Sequence, residues 1–184
     1  MKSLLVPAIL LCSLASIDAH SASGQDVLGK TPPEWNLTNW INSDALDLKG
    51  LRGKVVLIRW WTAPGCPYCR ATAPALNQFH EHYGSKGLQV VGIYHHKAST
   101  PLDVKDVKQF VERFGFKFPV AIDPEWQTLK KWWLDEHRDG WTSISILLDR
   151  KGVIRYVHPG GQYIKGDAAH TELQSKIEAV LAEP

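Results

Sequence analysis

Apolar residues crowd into one run, Val55 to Trp61, interrupted only by Arg59. An apolar stretch without alternation fits a strand covered on both faces. Leu88 to Tyr94 reads the same way. Elsewhere the period lengthens. Val104, Val107, Phe110, Val111 and Phe114 recur at helical spacing before Gly115, which predicts a helix over 103–114. Leu76, Phe79 and Tyr83 predict another over 71–83, kinked by Pro74. Leu173, Ile177, Val180 and Leu181 predict a closing helix over 171–182.

Shorter elements fill the gaps. Strands are expected at 118–122, 143–148 and 153–158, the last two antiparallel about the Asp149–Gly152 turn. A short helix is expected at 125–134, and two short strands at 34–38 and 45–48. This order predicts an α/β protein: a central mixed β-sheet flanked by helices, with an N-terminal β extension.

The first residues follow a different logic. Lys2 precedes an apolar stretch, Ser3 to Ile17, and cleavage fits best after Ala19. The stretch is short for a membrane span, so a cleaved export signal is expected, with a signal anchor as the alternative. The expected organisation is a signal peptide over 1–19, a polar, loose segment over 20–32 and one folded domain over 33–184. Export implies the periplasm in a Gram-negative cell and secretion otherwise. Cys12 lies inside the leader behind Leu11, too large a neighbour for a lipid-attachment signal.

Composition adds exclusions. A net charge of +2 over 184 residues implies neither a nucleic-acid partner nor stable binding to an anionic membrane. Removing the leader leaves Cys66 and Cys69 as the two cysteines, both in one Cys-x-x-Cys. An exported chain that uses its sulfur this way has a reactive pair rather than a disulfide scaffold.

The pair sits where the apolar strand, a Pro-Gly turn and a helix meet. A helix start carries unpaired N–H groups and partial positive charge, which favour a thiolate. Pro67 suits the first helical position. Cys69 follows one turn later, within disulfide reach of Cys66. Cys66 can attack a partner disulfide and Cys69 can resolve the mixed disulfide. Half of a zinc site is the competing reading, but no second Cys-x-x-Cys completes it.

These features carry a family resemblance. The chain resembles the thioredoxin-like superfamily, and most of all its exported TlpA/ResA-type branch, related to the AhpC/TSA redoxins. The resemblance runs from about Pro33 to Leu181. It rests on Gly53-Lys-Val-Val-Leu-Ile-Arg-Trp-Trp61, Cys66-Pro-Tyr-Cys69 with Pro74 behind it, Phe118-Pro-Val-Ala-Ile-Asp123 and Ile146-Leu-Leu-Asp-Arg-Lys-Gly-Val-Ile-Arg155. It implies a thioredoxin-like fold and a thiol-disulfide oxidoreductase acting on protein thiols and disulfides. Cys66 would be the exposed nucleophile and Cys69 the buried resolver, joined as a redox disulfide. Trp61, Pro67, Tyr68, Thr142 and Ser143 would border the substrate groove. A membrane thiol donor of the DsbD kind is the implied source of electrons. No cofactor or metal is expected.

The chain departs from the pattern at several positions. Ser143, after Thr142, stands where the family has a cis-proline, and its hydroxyl is expected opposite Cys66. Arg59 stands in the central strand where thioredoxins bury an acid; a charge there needs a partner, either a thiolate that it assists or a salt bridge at the sheet end. Thr72 occupies a position often held by Glu. Two rivals remain. A peroxidase needs Pro-x-x-x-Thr-x-x-Cys, whereas Arg59 and Ala63 hold those places. A copper, iron–sulfur or zinc module would draw on the two thiols and on His95, His96, His137, His158 or His170. His95 and His96 read as a solvated loop.

Overall fold

The structure is a computed structural model that describes residues 24–138 and 140–184. The expected signal segment lies outside the described residues. The apolar runs form the strands predicted for them: β2 spans Val55–Trp61 and β3 spans Leu88–Tyr94. With β1 (Thr38–Ile41), β4 (Val120–Ile122), β5 (Ser145–Leu148) and β6 (Ile154–His158) they make one six-stranded sheet. Its order is β1-β4-β3-β2-β5-β6. β2, β3 and β4 run parallel, whereas β1, β5 and β6 pair antiparallel, so the sheet is mixed as expected.

Three helices cover one face: α1 (Pro67–Tyr83), α2 (Val104–Phe114) and α3 (Ala168–Ala182). Each begins on a side-chain cap. Cys66, Asp103 and Asp167 accept from backbone N–H groups of the first turn, at 3.1, 2.8 and 2.6 Å. The parity of β2 sorts the core. Val55, Leu57 and Trp61 pack with Leu76, Phe79, Val107, Val111, Leu173 and Ile177 of the helices. Val56, Ile58 and Trp60 face the other way, onto Leu129, Trp132, Trp133 and Val27. All seven β2 residues are buried, which explains why the strand reads as continuously apolar.

The second face is closed by irregular chain. A helical segment runs from a 3₁₀ turn at Pro124–Trp126 through Gln127–Leu129 into a π turn at Lys130–Leu134. The predicted strand at 34–38 begins instead at Thr38, and 45–48 is not a strand. The expectation of looseness over 20–32 does not hold from Gly24 onward. Val27 is buried, Asp26 meets His137 Nε2 at 3.0 Å, and the main chain at Gly29 and Lys30 bonds to Ile154. The mostly polar sequence concealed this, because much of the hold comes from backbone bonds to the β6 edge, beside the buried Val27.

Candidate active site

The site lies where β2 ends and α1 begins. Trp61 closes the strand, residues 62–65 turn, and Cys66 caps the helix. The turn is pinned from the neighbouring strand, where Tyr94 donates its hydroxyl to Ala63 O at 2.9 Å. Gly65 takes the left-handed conformation that the turn requires (φ 89°). The Ala63–Pro64 bond is cis.

Cys66 and Cys69 are joined as a disulfide with their Cα atoms 5.3 Å apart. Cys66 is half-buried at the surface, whereas Cys69 is 2% exposed beneath it. The Cys69 N–H donates to Cys66 Sγ at 3.1 Å. An anion on Cys66 would gain that bond and the positive end of the 17-residue helix α1.

Ser143 faces the pair from the loop before β5. Its Oγ is 3.3 Å from Cys69 Sγ and 3.8 Å from Cys66 Sγ. The hydroxyl therefore serves the buried sulfur first, not Cys66 as its position in the sequence suggested. The Thr142–Ser143 bond is trans, since Ala63–Pro64 is the one cis bond among the described residues.

Cys66 opens onto two clefts. One is bordered by Pro67, Tyr68, Thr142 and Ser143, together with Lys97 and Trp141. Tyr68 and Trp141 meet edge to face, 5.3 Å between ring centres, and are 39% and 53% exposed. Gly160 positions that indole, because a Cβ there would overlap Trp141. The other cleft carries Arg70, Arg113, Phe110 and Phe114. Four of the five expected groove residues thus border one opening. Trp61 does not. It is 1% exposed, packed against Tyr94, Phe114 and Phe116, with the ring space beside it opened by Gly92. Strand parity, available from the sequence, turns it inward. Lys97 carried no sequence signal as a member of the site, because its neighbours there are distant in the chain.

Arg59 is wholly buried on the Cys69 side of the sheet, and among the described residues it forms no salt bridge. Its Nη2 donates to Gly161 O at 2.7 Å, its Nη1 to Ser145 Oγ at 3.4 Å, and its guanidinium lies 5.3 Å from the Tyr163 ring centre. Tyr163 in turn bonds Ser145 Oγ at 3.0 Å, and its N–H donates to Thr72 Oγ1 at 3.4 Å. His95 is not solvated. It is fully buried against Trp126, and burial, then Lys97 and Arg59, pull its pKa down to about 3. Burial and then Arg59 pull His158 to about 4. Among the described residues no three or more His, Cys, Asp or Glu side chains converge to hold a metal.

Comparison with known proteins agrees with this geometry. Residues 29–173 match the redoxin family. The chain is similar to DipZ of Mycobacterium bovis, 30% identical over 79% of this chain but spanning only 21% of that protein. It is 26% identical to the thiol-disulfide oxidoreductase ResA of Bacillus thuringiensis, covering 83% of this chain and 78% of ResA. Among solved structures it resembles a thiol-disulfide isomerase from Corynebacterium glutamicum, with a TM-score of 0.68 and 28% identity over 85% of this chain and 98% of that one. The chain belongs to the redoxin family and has its thioredoxin-like fold.

Proposed function

We infer that this protein is a thiol-disulfide oxidoreductase that exchanges disulfides with protein partners through Cys66 and Cys69. One observation carries the reading: a disulfide whose outer sulfur caps a helix at the surface while the inner one is buried. A partner thiolate reaches Cys66, and the bond electrons leave on Cys69. In the reverse direction the Cys66 thiolate attacks and Cys69 resolves. The ResA and isomerase relatives support the same chemistry. Dithiothreitol-driven reduction of insulin tests it, with catalysis above the spontaneous rate expected.

A protein partner fits the open, aromatic border of the pair. Tyr68 and Trp141 offer rigid apolar area beside Cys66, suited to an extended segment around a partner cysteine. Trp141→Ala is expected to raise KM for a protein disulfide about fivefold with kcat little changed. An unchanged KM removes Trp141 from recognition.

Export to the periplasm and recharging by a membrane thiol donor of the DsbD kind belong to the same proposal. The leader pattern over 1–19 supports the first. No helix among the described residues is long and apolar enough to cross a membrane. N-terminal sequencing of the mature protein should begin near His20. Retention of residues 1–19 identifies a signal anchor instead.

A further inference from the structure

Arg59 is a buried cation with no anion beside it. Among the described residues no carboxylate forms an ion pair with it. Its partners are neutral: the Gly161 carbonyl, the Ser145 hydroxyl and the Tyr163 ring. Its Nε has no partner. Tyr163 stays a neutral phenol, since burial pushes its pKa up, and His95 and His158 stay neutral at pH 7. Burial pulls the Arg59 pKa down, but a guanidinium keeps its proton. An unpaired buried charge is costly, so an anion that forms only part of the time is the natural counterpart.

The buried sulfur is placed for that part. Arg59 pairs with Ser145 across β2 and β5, and Ser143 lies two residues before Ser145, in the loop that leads into β5. Two residues of chain span at most about 7 Å. Ser143 Oγ is 3.3 Å from Cys69 Sγ. From the other direction, Thr72 lies one α1 turn after Cys69 and accepts the Tyr163 N–H. Ser143 and Ser145 thus lead from Cys69 to Arg59 within the buried sheet–helix interface, where charges attract more strongly than in water.

We propose that Arg59 is the counter-charge of Cys69, holding that sulfur as a thiolate whenever the disulfide opens and so biasing the pair toward the role of oxidant. Arg59 is a positioning residue here: it acts through Cys69 and touches no substrate. When a partner dithiol is oxidised, its first thiolate bonds to Cys66 Sγ. The Cys66–Cys69 bond breaks, and its electron pair leaves on Cys69. The partner's second thiol gives its proton to solvent and attacks the first, forming the partner disulfide and releasing Cys66. The partner loses two electrons and the pair gains them. One reduced sulfur remains anionic beside Arg59, so one proton fewer is taken up. A stabilised leaving thiolate speeds the first step, and no buried proton donor is required.

This rests on the exchange reading, and its test is separable from it. The protein, Arg59→Met and Arg59→Lys are equilibrated in glutathione redox buffers, and the reduced fraction is measured by alkylation and mass. Arg59→Met should shift the equilibrium toward the disulfide about tenfold, or about 30 mV, and Arg59→Lys by clearly less. Equal equilibria for the native protein and Arg59→Met overturn the proposal, even if insulin turnover is intact. A native protein inactive on insulin would instead sink the exchange reading and leave this equilibrium measurable. Should Arg59→Met fail to fold, Cys66→Ser with Arg59 in place supplies the second readout. Thiolate absorbance should then titrate Cys69 below the ordinary thiol pKa of about 8.5. Titration at or above that value overturns the proposal.

Discussion

Cys66→Ser is expected to reduce dithiothreitol-driven turnover of insulin to the spontaneous rate while the protein stays folded. A serine hydroxyl does not ionise near neutral pH, so the helix start has no nucleophile to activate. The fold survives because the surroundings do not depend on the bridge. The disulfide spans a separation of three residues, and so short a loop removes little entropy from the unfolded chain. The turn is held independently by the Tyr94 hydroxyl on Ala63 O. Circular dichroism should match the native protein. Retention of about a tenth of the rate or more would move the chemistry away from Cys66.

Acid should destabilise the protein well before its carboxylates titrate. His95 and His158 are buried, with folded pKa values of about 3 and about 4. Unfolded, each binds a proton near pH 6.5. Between about 6.5 and 4 the unfolded chain therefore carries more protons than the folded one, and stability falls as pH falls. Above pH 7 both states are neutral and the effect vanishes. At pH 5 the loss is on the order of 2 kcal/mol for each histidine. The urea midpoint should drop clearly from pH 7.5 to pH 5, and His158→Asn should flatten part of that slope. A midpoint constant across the interval contradicts the burial argument for both rings.

What the sequence made legible was local. The limits of β2 and β3 follow from uninterrupted apolar runs, and the start of α2 from Asp103 before a helical period. The cysteine pair was legible because strand, turn and helix are contiguous. Contacts that depend on distant segments were not. Arg59 meets Gly161, 102 residues away, and nothing nearby says that its partner is a carbonyl rather than a carboxylate. His95 follows a strand and looks solvated until Trp126 folds over it. The resemblance puts Trp61 at the groove, but the β2 parity that buries Leu57 on the same side also buries Trp61. The sequence places the Ser143 hydroxyl opposite Cys66, but which sulfur it favours depends on how deep α1 sets Cys69, a quantity only the packed structure supplies.

The division of labour between the two sulfurs is the centre of this account, and one measurement addresses it directly. Reduced Cys69→Ser protein is mixed with a short peptide disulfide, quenched in acid, and mapped by mass spectrometry. The half-buried, helix-capping sulfur should be caught as a stable mixed disulfide, with the peptide on Cys66 in nearly stoichiometric yield. The reciprocal Cys66→Ser protein should carry little peptide, because Cys69 is 2% exposed. Peptide found on Cys69 of the reciprocal protein at equal yield, or none on Cys66, would contradict the assignment of Cys66 as the group that meets the partner.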